Sequence, residues 1–139
     1  MSPTGPESSR GDAALLGQLI RTELSAIPLL KWGYFFPCQV AVWRYIHQRA
    51  PDLVDDFVGG YDEEPYYEGR GAEWFCQVWE DHDRYWELLE GLMRPLFDAL
   101  PARVRQRGNV MPQEVPSLPT PLVEELTSLV EEAIRSARG

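Results

Sequence analysis

Between Phe75 and Leu100 one set of side chains recurs at helical spacing. Phe75, Val78, Trp79, His82, Tyr85, Trp86, Leu89, Met93, Leu96 and Leu100 form a stripe that is apolar except at His82. Nowhere does the chain show the strict alternation of a half-buried strand. A helix of this length needs other helices to cover its stripe, so the sequence predicts an all-α fold: a compact domain of four to five helices with a proline-rich arm and a C-terminal helix. Pro95 falls inside the pattern and should kink or split the helix, because it lacks an N–H and clashes with the preceding turn.

The remaining elements follow from the same reading. Residues 1–11 are polar and read as a disordered tail, with the helical domain at 12–107. A first helix is expected from Asp12, its N-cap, to Ala26, with Leu15, Leu16, Leu19, Ile20 and Leu24 on one face and only Glu23 breaking the stripe. Pro28 ends it, and Leu29–Phe36 is a dense apolar connector. A second helix opens at Pro37 and runs to Arg49; its apolar face is wide enough for a central, multiply covered position. Pro51 is expected to open a short third helix through Leu53, Val54, Phe57 and Val58. Residues 59–71 read as a glycine-flanked loop. The fourth and longest helix starts near Ala72. Residues 108–121 hold four prolines and read as a stiff linker. Thr120 and Pro121 then start a C-terminal helix over 122–139, with Leu122, Leu126, Leu129, Val130 and Ala133 as its seam.

At 139 residues the chain is one domain by size and can bury a core without metal or disulfide. Cys38 and Cys76 match no zinc or redox spacing, and a disulfide between them is the minor alternative. No apolar run spans a membrane and Met1–Gly11 is no signal peptide, which sets an intracellular, cytoplasmic, soluble expectation. Arg10-Gly11-Asp12 spells an adhesion tripeptide, but the cap reading of Asp12 explains it more simply.

Charge is concentrated. From Asp52 to Glu90 there are thirteen carboxylates against two arginines, −11 in a chain of net −9, so the remainder sums to +2. Such a surface repels phosphate and excludes direct nucleic-acid binding as the main task. Arg103, Arg105 and Arg107 sit where a helix should end and are explained by its dipole.

The leading functional reading is a non-enzymatic module. It would bind a basic surface of a partner protein through Tyr61, Glu63, Glu64, Tyr66, Tyr67, Glu80, Asp83 and Glu87, in one version as an inhibitor mimicking nucleic-acid charge. No cofactor or metal is expected, since Glu-x-x-His is absent and only two histidines occur. The alternative is a small enzyme or ligand-binding protein with Trp74, Trp79, His82, Tyr85 and Trp86 around a pocket, and His82 as acid or base. A third reading exchanges the C-terminal helix between two copies through residues 122–137 as a homodimer.

Overall fold

The computed structural model describes residues 6–54, 57–58, 66–67 and 71–139. It is all-helical apart from one pair of two-residue strands. The order is α1 (Pro6–Ala26), a 3₁₀ helix (Leu29–Tyr34), α2 (Phe36–Arg49), β1 (Phe57–Val58), β2 (Tyr66–Tyr67), α3 (Ala72–Glu80), α4 (Asp83–Asp98), α5 (Ala102–Arg107), a 3₁₀ turn (Pro112–Glu114) and α6 (Thr120–Arg138). α1 packs against α2 and α6, and α4 also packs against α6.

The apolar periodicities become the core. Leu16, Ile20 and Leu24 of α1 are fully buried. α2 is central as its composition requires, burying Pro37, Cys38, Val40, Ala41, Val42, Trp43, Tyr45 and Ile46. α6 folds back and buries Val123, Leu126, Thr127, Val130, Ala133 and Ile134 in the same chain. Its seam is rotated slightly from expectation, leaving Leu122 and Leu129 half-buried. The segment before α6 is part of the body: Val110 and Val115 are buried, and Arg21 Nη1 donates to the Pro116 carbonyl at 3.2 Å.

Polar contacts fix how the helices meet. Tyr45 donates to Glu131 at 2.5 Å and Arg49 Nε to the same oxygen at 2.9 Å, joining α2 to α6. Arg84 holds Glu125 through two nitrogens, each at 2.5 Å, joining α4 to α6. Such a two-point guanidinium–carboxylate contact fixes orientation as well as distance.

Several expectations are corrected. Helix α1 begins at Pro6, so Pro6–Gly11 extend the helix and are not a tail. Proline suits a first helical residue, and a helix already nucleated by the apolar stripe extends cheaply. Asp12 is therefore inside α1, 3.7 Å from Arg49 Nη1, and caps nothing. Pro51 opens only a turn; Phe57 and Val58 pair antiparallel with Tyr67 and Tyr66 instead of continuing a helix. Thr120 is the first helical residue of α6, preceded by Pro119, and makes no side-chain cap. The long fourth helix is two helices broken at Asp81–His82, while α4 passes through Pro95 without a break. Pro95 lies in the last turns and on the exposed side, and the helix continues past it to Asp98.

Candidate functional site

The α3–α4 corner is built from its own aromatics. The Trp79 carbonyl accepts from the His82 backbone N–H at 3.2 Å and from Trp86 Nε1 at 2.8 Å. His82 is extended (φ −91°, ψ 91°) and its Nδ1 accepts the Tyr85 backbone N–H at 3.2 Å, so the imidazole is the N-cap of α4. Asp83 follows in the first turn, where a carboxylate complements the helix dipole. Trp79 stacks on Tyr85 with ring centres 4.4 Å apart and planes at 11°, and Phe75 meets Trp43 edge-on at 6.0 Å. Burial pushes the Tyr85 phenol far above its ordinary range, leaving it a neutral core residue.

The residues expected on a partner-binding face are placed differently from one another. Glu80, Asp83 and Glu87 are exposed. Arg84 reaches Glu87 at 3.2 Å, whereas Glu73, Glu80, Asp81, Asp83 and Asp98 form no ion pair with the described residues. Tyr61, Glu63 and Glu64 lie outside the described residues. Tyr66 and Tyr67 are in β2, described in their backbone pairing alone. Of the rings expected beside the acids, Phe75, Trp79 and Tyr85 point inward and are buried, while Trp74 and Trp86 are half-buried. Helix periodicity put acids and rings on opposite sides of the helix, and the ring side is the core side.

Two concavities border this region. A groove of about 230 Å³ between α3 and α6 is lined by Trp74, Val78, Trp79, His82, Leu129, Glu132, Ala133 and Ser136. Three of the five expected pocket residues line it; Tyr85 and Trp86 do not. Its α6 wall was invisible in the sequence, because it depends on α6 returning to α3. A larger cleft of about 320 Å³ lies between the 3₁₀ helix and α4, walled by Trp32, Phe35, Met93 and Phe97 and rimmed by Glu90, Arg94 and Asp98. Sequence reasoning did not assemble this cleft, although the aromatic density of Leu29–Phe36 was its signal. Phe35 adopts a left-handed conformation (φ 57°, ψ 22°), the one positive φ at a non-glycine residue among those described. That geometry is strained for a bulky side chain and is held by the junction of two helices.

At 100° per residue, Asp83, Glu87, Glu90, Arg94, Phe97 and Asp98 share an arc of about 100° on the outer side of α4. The acid row therefore runs directly into the cleft. Arg94 is 3.2 Å from Glu90 and offsets one of its charges. The Arg105 guanidinium lies 4.8 Å from the Phe97 ring centre and donates to the Phe97 and Asp98 carbonyls. Arg107 pairs with Glu114, so these two arginines finish α5 and its neighbours.

Neither cysteine is bridged; Cys38 is buried and Cys76 exposed. Among the described residues no group of three or more His, Cys, Asp or Glu side chains is placed to hold a metal ion. No helix among them is long and apolar enough to cross a membrane. Comparison with known proteins finds no match: no family model, no curated protein and no solved structure resembles this chain.

Proposed function

We propose that this protein is an acidic interaction module that binds a basic surface of a partner protein. The observation that supports it is the outer face of α4, where Asp83, Glu87, Glu90 and Asp98 run alongside the cleft walled by Trp32, Phe35, Met93 and Phe97. From Ala72 to Asp98 there are seven carboxylates and two arginines. Carboxylates steer a cationic partner and set its register, while a desolvated aromatic contact holds it. The anchor in this reading is the cleft at the far end of α4, not the rings of α3. Among the aromatic side chains of described burial, Phe97, at 38% exposure, is the most open to a partner. An inhibitor that occupies a nucleic-acid-binding groove by charge mimicry is one form of this activity.

The test is calorimetric binding to a cationic peptide carrying lysines, arginines and two tryptophans. Affinity should fall steeply from low to high salt. It should be lost on combining Glu80→Lys, Asp83→Lys and Glu87→Lys, and drop about tenfold with Phe97→Ser. The charge-matched control combines Glu124→Lys, Glu132→Lys, Gln113→Lys and Ser117→Lys and should retain most of the affinity. Equal loss in both charge variants would reduce the effect to net charge and end the reading.

A further inference from the structure

The exposed apolar side chains gather at one end of the molecule. Among the described residues the large hydrophobics left open to solvent are Leu30 at 89%, Met111 at 48% and Phe97 at 38%. They are far apart in sequence and are brought together by three junctions. The Leu29 backbone N–H donates to the Gly108 carbonyl at 2.9 Å, which sets the 3₁₀ helix beside the end of α5. Arg105 Nη2 reaches from α5 to the Phe97 and Asp98 carbonyls at 2.9 and 3.0 Å. Glu114 accepts from the Met111 N–H at 2.9 Å and pairs with Arg107. Single exposed hydrophobics are ordinary on a surface; several meeting at one place mark a contact.

Charge changes sign at the same place. Residues 28–39 and 99–113 carry Lys31, Arg103, Arg105 and Arg107 and no acid, so the rest of the chain holds nine cations against 22 carboxylates. The three arginines are exposed. Of the bordering acids, Glu90 is paired with Arg94 and Glu114 with Arg107, which leaves Lys31, Arg103 and Arg105 against Asp98. The hydrogen bonds of Arg105 go to carbonyls and leave its charge in place. Asp83 and Glu87 lie fourteen and ten residues before Phe97 on α4. At 1.5 Å per residue that is about 15–20 Å along the axis, beyond the screening length of about 8 Å in physiological salt.

We infer that this end of the protein docks peripherally on an anionic lipid surface, with Leu30 and Met111 entering the acyl boundary and Lys31, Arg103 and Arg105 meeting the headgroups. Apolar tips flanked by cations match the two layers of such a surface, which offers hydrocarbon beneath negative charge. Leu30 stands almost wholly clear of the body, as an inserting side chain must. A second copy related by two-fold symmetry would instead set these cations against each other. The inference does not rest on the protein-binding reading, which uses the carboxylates toward the start of α4; Phe97 borders both surfaces.

The test sediments the full-length protein with vesicles of phosphatidylcholine alone or of a two-to-one mixture of phosphatidylcholine and phosphatidylserine. Binding to the mixed vesicles should exceed binding to the neutral ones about tenfold and weaken as salt is raised. Combining Leu30→Ser with Met111→Ser changes only exposed side chains and should weaken binding about tenfold. Combining Lys31→Gln with Arg103→Gln should remove the preference for phosphatidylserine. Arg135→Gln with Arg138→Gln deletes as many cations from the exposed end of α6 and should leave binding unchanged. No sedimentation with the mixed vesicles at low salt would overturn the proposal, as would undiminished binding by the Leu30→Ser, Met111→Ser protein. A dimer in analytical ultracentrifugation that the same double change returns to monomer would assign the face to a second copy. Soluble polyglutamate binding as tightly as the vesicles would assign it to an acidic protein, and either result would equally end the lipid assignment.

Discussion

Glu23 is the one acid in the apolar stripe of α1, and it is only 3% exposed. The structure explains its place there: Arg44 Nε of α2 lies 3.0 Å from Glu23 Oε2. A buried carboxylate opposite a partly exposed guanidinium fixes the α1–α2 register more than it adds stability, because both charges lose water. Glu23→Gln should cost about 1–2 kcal/mol, less than a fully buried pair because Arg44 remains a third exposed. The double change Glu23→Leu with Arg44→Leu should recover most of that loss in urea unfolding. The anomaly was legible in the sequence as a break in periodicity, but its partner was not, since nothing in spacing links position 23 to position 44. Cys38 offers a second residue-scale prediction. Burial pushes its thiol up to about 12, while an unfolded thiol ionises near 8.5. The folded state therefore holds a proton that the unfolded state has lost between about pH 9 and 12. Stability falls as pH rises through that window, by up to about 1.4 kcal/mol per unit from this group. Between pH 9 and 10 the unfolded thiol ionises ahead of the unfolded counterparts of the buried Tyr45 and Tyr85, so Cys38→Ala should flatten the alkaline side of the stability profile there and leave the smaller slope of the two phenols. A thiol reagent should label Cys76 in the native protein and both cysteines only after unfolding.

At the scale of elements, the sequence marked apolar faces well and helix ends poorly. The stripe from Phe75 to Leu100 is one continuous pattern, yet the chain breaks it at Asp81–His82. Two facts compete there. The period continues across the break, because Trp79 and Tyr85 still face the same core and stack on each other. The local chemistry, however, offers a cap: an acceptor at position 82 and an acid at 83 satisfy the first turn of a new helix. Proline drew attention to position 95 instead, where the helix is already near its end. His82→Ala should cost about 1 kcal/mol by losing the cap, and His82→Asn should cost a few tenths. Thermal unfolding of the two proteins separates a capping role from packing, since asparagine replaces the acceptor but not the ring. Gly17 in α1 gives a prediction of opposite sign. A Cβ there would meet Leu118 Cδ1 at 3.7 Å and Val123 Cγ1 at 3.8 Å, ordinary packing distances in a groove that Gly17 lines with Ala13 and Ala14. Gly17→Ala should stabilise the protein by about 1 kcal/mol, through helix propensity and added contact. Gly71→Ala should do the reverse, because its Cβ would stand 3.1 Å from Leu53 Cβ and 3.3 Å from the Leu53 carbonyl.

At the scale of the whole molecule, α6 decides whether the rest can fold. Its amphipathic pattern announced a helix in need of a groove; whether that groove belonged to the same chain is a question that periodicity does not answer. The structure seats it on α1 and α4 and ties it down at three places along its length: Glu125 to Arg84, Glu131 to Tyr45 and Arg49, and Arg138 to Asp52 at 2.5 Å. Removing residues 109–139 would strip Val110, Val115, Val123, Leu126, Val130, Ala133 and Ile134 from the core. Each large apolar side chain lost from a core costs about 2 kcal/mol, so the sum, on the order of 12 kcal/mol, is as large as the roughly 5–15 kcal/mol by which a domain of this size is stable. The truncated chain should therefore lose cooperative unfolding and most of its near-ultraviolet circular dichroism, whatever its concentration. A protein whose C-terminal helix merely docked on another copy would behave otherwise: the remaining body would stay folded and only its mass in solution would change. Val130→Asp separates the two arrangements without shortening the chain. In the arrangement seen here it places a charge in the α1–α6 core and should lower stability by more than about 3 kcal/mol, with the intact protein unfolding at a temperature independent of concentration. A folded Val130→Asp monomer of undiminished stability would mean that α6 belongs to an exchanged assembly.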